Sequence, residues 1–163
     1  MVRTGIGYDI HRLIPTIKTS EIALGGIQIP CYFKVQAHSD GDVLIHALVD
    51  AILGSMALGD IGEHFPDSSA ENAARKSTEF LAFAKSELKK LGFKIAHVDS
   101  NIFLEEPKLS PHKDKIRESL AMALGIELTC VSVKAKTMEG MGPVGQRNAI
   151  AAQVLVTVIP MNN

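Results

Sequence analysis

Tryptophan is missing from this chain, and six phenylalanines and two tyrosines are all its 163 residues hold of the other aromatics. With so few rings and no basic stripe between them, the sequence offers neither the stacking platforms nor the phosphate-binding rows of a nucleic-acid surface. Cysteine is nearly absent too. Cys31 and Cys130 stand far apart without CxxC spacing, which argues against a disulfide framework or a zinc knuckle and for a reducing compartment. Neither sign of charge dominates: 17 basic against 18 acidic residues leave a net charge of −1 and no like-charge block. No apolar run approaches the roughly 18 residues of a membrane-spanning helix. The first eleven residues, MVRTGIGYDIH, carry no apolar signal core. These absences lead us to expect a soluble protein without nucleic-acid or membrane partners. Its place is the bacterial cytoplasm, or a plastid-like organelle if a presequence has been removed.

What is present is an ordinary globular balance, 46% apolar and 21% charged. The length suits one domain, 1–163, at roughly 150 residues per domain. Residues 2–11 alternate weakly and read as a strand entering a loop, and 21–30 as two short strand pieces around Gly25-Gly26, ended by Pro30. Ser39 or Asp40 caps a helix from about Gly41 to Leu58. Residues 58–72, rich in glycine and acids, form the longest loop, a candidate binding lid. A helix over 73–91 stops at Gly92, and 93–106 alternates as a strand. A helix over 110–125 begins with a Ser110 cap and Pro111. Residues 129–137 and 149–160 are further strands, the last a β-branched run fit for burial. Strands alternating with helices predict an α/β, or α+β, sandwich: a mixed sheet with helices packed on one face.

The chemistry concentrates in AHSDGDVLIHALVDAILG, residues 37–54, where Asp42, His46 and Asp50 recur every four residues of an otherwise apolar helix. On a helix that spacing stacks them on one face. Such a face is either solvated or turned towards a metal site. Asp9 and His11 stand two apart in an extended segment, so both side chains leave one side of it. Taken singly, Asp9-Ile10-His11 is a surface aspartate with a hydrogen-bonded histidine, and His46 a satisfied core histidine. Taken together they are three ligands of types suited to zinc with one position open, the catalytic rather than the structural arrangement. Asp50 or a backbone carbonyl is then the candidate partner for the second nitrogen of His46. His38 and Ser39 lie at a helix entrance, where free N–H groups attract anions. Lys108 sits between two prolines. Thr137 and Glu139 leave a strand for a glycine-rich turn, where a carboxylate suits an oxygen-loving cation as well as a plain strand end.

In their order and spacing, GYDIH, AHSDGDVLIHALVDAILGSMALGDIGEHFPD, PKLSPH and KAKTMEGMG closely resemble the 2-C-methyl-D-erythritol 2,4-cyclodiphosphate synthase family over essentially the whole chain. The resemblance implies a step of the non-mevalonate isoprenoid pathway. There, the 2-phosphate of 4-diphosphocytidyl-2-C-methyl-D-erythritol 2-phosphate attacks its own β-phosphorus and expels CMP. It implies Zn²⁺ on Asp9, His11 and His46, and Mg²⁺ or Mn²⁺ on Glu139 once substrate is bound. Two cations suit a reaction between two phosphates, whose repulsion must be offset. By the same resemblance His38 and Thr137 steady the transition state. Ser39 holds a phosphate, Asp9, Ile10, His11 and His38 also contact the substrate, and Asp60, Ile61, Gly62, Phe65, Pro66, Asp67, Ser68 and Ser69 line the methylerythritol pocket. Leu104, Pro107, Lys108, Leu109, Ser110, Ala135, Lys136 and Thr137 cradle cytidine, with Met138 and Glu139 beside the diphosphate. The family's assembly, a homotrimer with sites between subunits, is implied as well.

One stretch departs from the family. After the glutamate many bacterial members read GFxGRGEG, whose arginine serves a central trimer cavity that binds an isoprenoid diphosphate. Here Pro143 and Gln146 take the matching positions and Arg147 comes one later. On a strand without a bulge Arg147 points the other way, which predicts weak diphosphate binding in that cavity and unaffected catalysis. Without the resemblance the same residues also suit a zinc hydrolase, with His38 or Asp42 as base, or a trimeric small-molecule carrier. A hydrolase incorporates solvent oxygen; a carrier turns nothing over.

Overall fold

The structure, a computed structural model, describes residues 1–66 and 75–161. Strand β1 runs Arg3–Leu24, 22 residues, against the usual five or six. Its length follows from having two partners. Residues 3–12 pair antiparallel with β5 (Ala149–Pro160), and 12–24 pair antiparallel with β2 (Ile27–Gln36). The loop expected after His11 is therefore strand, with the β2 ladder shifting register between Pro15 and Ser20. Gly25 and Gly26, with φ of 63° and 81°, make the hairpin turn that their sequence suggested. Pro30 does not end β2. It sits opposite Glu21 in an edge strand, where a missing N–H is tolerated.

Strand β3 (Phe93–Phe103) pairs antiparallel with β5 and parallel with β4 (Val131–Lys136), giving a mixed five-stranded sheet in the order β2-β1-β5-β3-β4. Helix α1 (Val43–Ser55) lies over β1 and β5, and it is buried on nearly every side. Helix α3 (Ser77–Lys90) packs on α1, and α4 (Lys113–Leu124) covers β4. Between α1 and the sheet lies the main core, with Leu44, Leu48, Val98, Ile102, Val154, Val156 and Val158 all at 0% or nearly so. No helix among the described residues is long and apolar enough to cross a membrane.

Helix starts differ from the sequence reading in several places, and α3, expected from 73, begins at Ser77. Asp42, not Ser39 or Asp40, caps α1, so Asp42 is not on the helical face of His46 and Asp50. The Asp42 carboxylate does more than cap. It accepts from Ile45 N at 3.0 Å, Gly25 N at 2.8 Å and Gly26 N at 2.7 Å, clamping the β1–β2 turn to the helix. Ser110 and Pro111 form a turn, and α4 begins at Lys113 without a side-chain cap. Within the expected long loop, α2 (Ile61–His64) is a single helical turn capped by Asp60.

The other face of the sheet carries little cover. At one end Val144, in the short helix α5 (Gly142–Gly145), packs with Ala149, Ala151 and Phe103. Beyond it Ile6, Tyr8, Ile10 and Leu155 stand exposed, with Ile6 directly opposite Leu155. The β-branched run of β5 is not what lies open, since its valines face α1.

Candidate metal centre and cavity

Two glycines build the site before any ligand does. Gly5 and Gly7 lie on the helix side of β1, and a β-carbon at Gly5 would fall 1.9 Å from Ala51 O. At Gly7 it would fall 2.0 Å from Ala47 O. Only hydrogen fits, so strand and helix touch backbone to backbone. Continuing the same face by twos, Asp9 and His11 meet His46, which α1 presents beside Ala47. Asp9 Oδ2 lies 3.0 Å from His46 Nδ1 and 3.1 Å from His11 Nε2, and the two histidine nitrogens are 3.1 Å apart.

That triangle is the one group of three or more possible metal ligands among the described residues. A tetrahedral zinc with ligands at about 2.0–2.1 Å has ligand–ligand edges of about 3.3 Å, close to these sides. The donor set also fits: a carboxylate and two imidazoles, half-buried, three together. Asp9 Oδ1 is already occupied by Ile10 N at 2.8 Å, which fixes the carboxylate and leaves Oδ2 for the triangle. Burial raises the Asp9 carboxyl, but hydrogen bonds from His11 and His46 and their charges outweigh it. The carboxyl is held far below the usual carboxylate range.

Around the triangle is a cavity of 290 Å³ lined by Gln36, Ala37, His38, Ser39, Asp50, Ile61, Gly62, Phe65 and Phe80 as well as the three ligands. It therefore gathers His38, Ser39, Ile61, Gly62 and Phe65, five of the candidates named from the sequence. Asp60 is one step removed, accepting from Glu63 N to cap α2. Asp50 does not touch His46. It accepts from Ile61 N at 2.8 Å, tying α2 to α1 at the cavity edge, and burial pushes its pKa up. The second nitrogen of His46 instead faces Ser39 Oγ at 3.1 Å and Ser77 Oγ at 2.8 Å. Ile10 points to the opposite face of the sheet. Asp67, Ser68 and Ser69 lie outside the described residues.

The remaining candidates collect elsewhere. Leu104 N donates to Lys136 O at 3.0 Å, Met138 N to Glu105 Oε1 at 2.6 Å, and Thr137 Oγ1 to Glu139 Oε1 at 2.8 Å. These bonds bind the ends of β3 and β4 into one cluster, with Lys136, Thr137 and Glu139 exposed and Leu104 and Leu109 in the core. None of the residues 104–110 or 135–139 lines the metal cavity. Within the single chain the candidates thus fall into two separate groups. Gln36, Phe80 and Ser77 were missed by the sequence reading. Phe80 looked like a plain stripe residue on an amphipathic helix, and nothing in one sequence brings Ser77 to His46.

Around Arg147 the strand-register expectation fails. Residues 142–145 are a helical turn, Arg147 has φ 64°, and β5 starts only at Ala149. Arg147 Nη2 pairs with Glu106 Oε1 at 2.9 Å.

Residues 2–159 match the YgbB family. The chain is 48% identical over 157 residues to a bifunctional enzyme IspD/IspF of Novosphingobium aromaticivorans, covering 96% of this chain but only 40% of that longer protein. It is 46% identical to a 2-C-methyl-D-erythritol 2,4-cyclodiphosphate synthase of Solibacter usitatus, covering 96% of this chain and 97% of that one. Among solved structures, an IspF of Plasmodium falciparum in complex with CDP superposes with a TM-score of 0.86 at 35% identity, covering 99% of this chain and 97% of that one.

Proposed function

The chain belongs to the YgbB family, and from that membership we propose how its two half-sites carry out the family's reaction. The protein converts 4-diphosphocytidyl-2-C-methyl-D-erythritol 2-phosphate to 2-C-methyl-D-erythritol 2,4-cyclodiphosphate and CMP. An oxygen of the 2-phosphate forms a bond to the β-phosphorus, and the bond from that phosphorus to the bridging oxygen breaks, leaving with CMP. The observation that carries the reading is the triangle of Asp9, His11 and His46 set in a cavity that His38 and Ser39 also line.

Asp9, His11 and His46 would hold Zn²⁺, which when bound supplies Lewis-acid polarisation of a phosphoryl oxygen. The other contributions come from the chain itself. His38 and Ser39 donate to phosphate oxygens beside the triangle, and Ile61, Gly62 and Phe65 exclude water from the methylerythritol moiety. Phe65 is held there by Phe80 and Phe83, at ring distances of 4.7 and 5.0 Å. Folding both ends of one substrate into a small cavity supplies the proximity that an intramolecular attack needs. Glu139, steadied by Thr137, supplies one carboxylate oxygen for Mg²⁺ or Mn²⁺. One carboxylate is a poor cage alone, so that cation arrives with the diphosphate.

Because the cytidine cluster lies away from the metal cavity within one chain, the complete site forms between subunits of a homotrimer. The exposed row of Ile6, Tyr8, Ile10 and Leu155 is the apolar surface that assembly would cover. With Arg147 engaged by Glu106, any central cavity binds an isoprenoid diphosphate weakly.

The test is direct. With Zn²⁺ and Mg²⁺ present, the protein should release CMP and the cyclic diphosphate from the diphosphocytidyl substrate, followed by ³¹P NMR, with no ¹⁸O taken up from labelled water. Uptake of ¹⁸O would make it a hydrolase, and no turnover at all a carrier. Metal analysis of His46→Ala should show zinc lost; undiminished zinc would refute the assigned ligands.

A further inference from the structure

Glu139 stands on a turn that its own β-carbon disfavours. Met141 N donates to Met138 O at 2.8 Å, and the residues between them, Glu139 and Gly140, have φ of 51° and 77°. Both central residues are therefore left-handed, as in a type I′ turn, where glycine, asparagine or aspartate is usual and a glutamate is crowded. Such a conformation persists only where its surroundings hold it. On one side α5 closes on the turn. Gly145 N donates to Met141 O at 3.1 Å, and a β-carbon at Gly145 would fall 2.3 Å from the carbonyl carbon of Gly140. On the other side Glu105, just past the end of β3, takes the Met138 N–H on its Oε1 at 2.6 Å.

The Glu105 bond fills a place that the turn itself leaves open. In a two-residue hairpin the N–H of the first turn residue returns to the carbonyl of the fourth. Here Met141 O takes the Gly145 N–H, and the Met138 N–H goes to a carboxylate from another strand end. With the bond from Leu104 N to Lys136 O, it ties the chain leaving β3 to the chain leaving β4. We propose that Glu105 is a positioning residue for Glu139: by holding the Met138 N–H it fixes the left-handed turn that presents the Glu139 carboxylate beside Thr137. Because it acts through a backbone amide, the position needs an acceptor rather than a charge. The consequence for cation binding rests on the reading of Glu139 given above; the conformation of the turn does not.

The metal-free, ¹⁵N-labelled full chain gives the first readout, amide hydrogen exchange at Met138. In wild type this amide should exchange about tenfold or more slowly than in an unstructured chain. Glu105→Gln, whose amide carbonyl can take the same N–H, should keep that protection, and Glu105→Ala should lose it. Slow exchange at the buried Val154 and Val156 in all three shows that the core is intact. The second readout is Mn²⁺ binding by electron paramagnetic resonance with CDP supplied and zinc content measured alongside. Groups that fix a ligand from behind commonly contribute about 10–100-fold to metal affinity. Glu105→Ala should weaken Mn²⁺ by about tenfold, Glu105→Gln should restore it, and zinc should stay as in wild type, since Glu105 lies outside the metal cavity. A wild-type Met138 amide that exchanges at the unstructured rate overturns the proposal, and that measurement needs no variant to fold. Wild-type Mn²⁺ binding in Glu105→Ala overturns it too. So does a Glu105→Gln chain that binds as weakly as Glu105→Ala, which would make Glu105 a ligand rather than a support. If Glu139→Gln left Mn²⁺ binding unchanged, or the wild-type chain bound none, the cation reading would fall and the exchange result alone would decide the turn.

Discussion

Gly7 faces the carbonyl of Ala47 so closely that a β-carbon on it would stand 2.0 Å from that oxygen. A separation that short cannot be relieved by a side-chain rotation, because both parties are backbone. Gly7→Ala must therefore lift β1 from α1 and carry Asp9 and His11 away from His46. Overpacking of this kind typically costs about 1–3 kcal/mol. We expect a lower denaturant midpoint together with a disproportionate loss of bound zinc. Zinc content equal to wild type would show that the close approach does not set the ligand triangle.

Glu139→Gln keeps the side chain's shape and its acceptor for Thr137 while removing the charge. Turnover should be abolished and zinc content unchanged, because Glu139 lies outside the metal cavity. Normal activity in this variant would refute its role with the second cation.

Leu155 lies opposite Ile6 on the open face of the sheet. A charge there would be desolvated in any assembly that covers this face. Sedimentation at micromolar concentration should give a trimer for the wild-type chain and a monomer for Leu155→Glu. A wild-type monomer would contradict the proposed assembly.

Asp42→Ala removes three hydrogen bonds at once: the cap of α1 and both amides of the β1–β2 turn. Loss of a cap alone costs about 0.5–2 kcal/mol, and orphaned buried amides add to it. A destabilisation of about 2–4 kcal/mol in urea titration is expected. A value within a few tenths of wild type would mean that water replaces the carboxylate.

Lys134 Nζ donates to Asp99 Oδ2 at 2.5 Å, and this bond holds the Asp99 carboxyl below its ordinary range. The unfolded chain therefore takes up this proton first as the solution is acidified. The pair's contribution is present above about pH 4 and fades as pH falls through the lower, folded value. Both side chains are more than a third exposed, so solvent keeps the contribution to about 1 kcal/mol or less. Lys134→Met should reduce stability at pH 6 and converge with wild type by pH 2. A difference independent of pH would assign the effect to packing.

Alternation and spacing made most of the strands and helices legible, because period two and period four are local properties of the chain. Pro30 misled because its tolerance depends on β2 being an edge strand, which no local pattern reveals. Asp42 looked like part of a helical face because caps and first turns share the same residue types. At the site, the three ligands could be read since two lie on one strand face and the third stands out from an apolar helix. The buried serine behind His46 could not be read. Ser77 reaches His46 across 31 positions, and that contact exists only once α3 packs on α1.

The segment from Gly5 to Leu13 is used on both sides. Its odd positions give the close approach, two candidate metal ligands and a core leucine, and its even positions give Ile6, Tyr8 and Ile10 to the open face. The candidate metal centre and the proposed assembly surface are thus written on the two sides of one ribbon, in alternating letters. An insertion or deletion of a single residue here would exchange the two messages, putting tyrosine against the helix and aspartate at the subunit surface. This stretch can change by substitution but not in length, and neither side can be retuned without the other reading the edit.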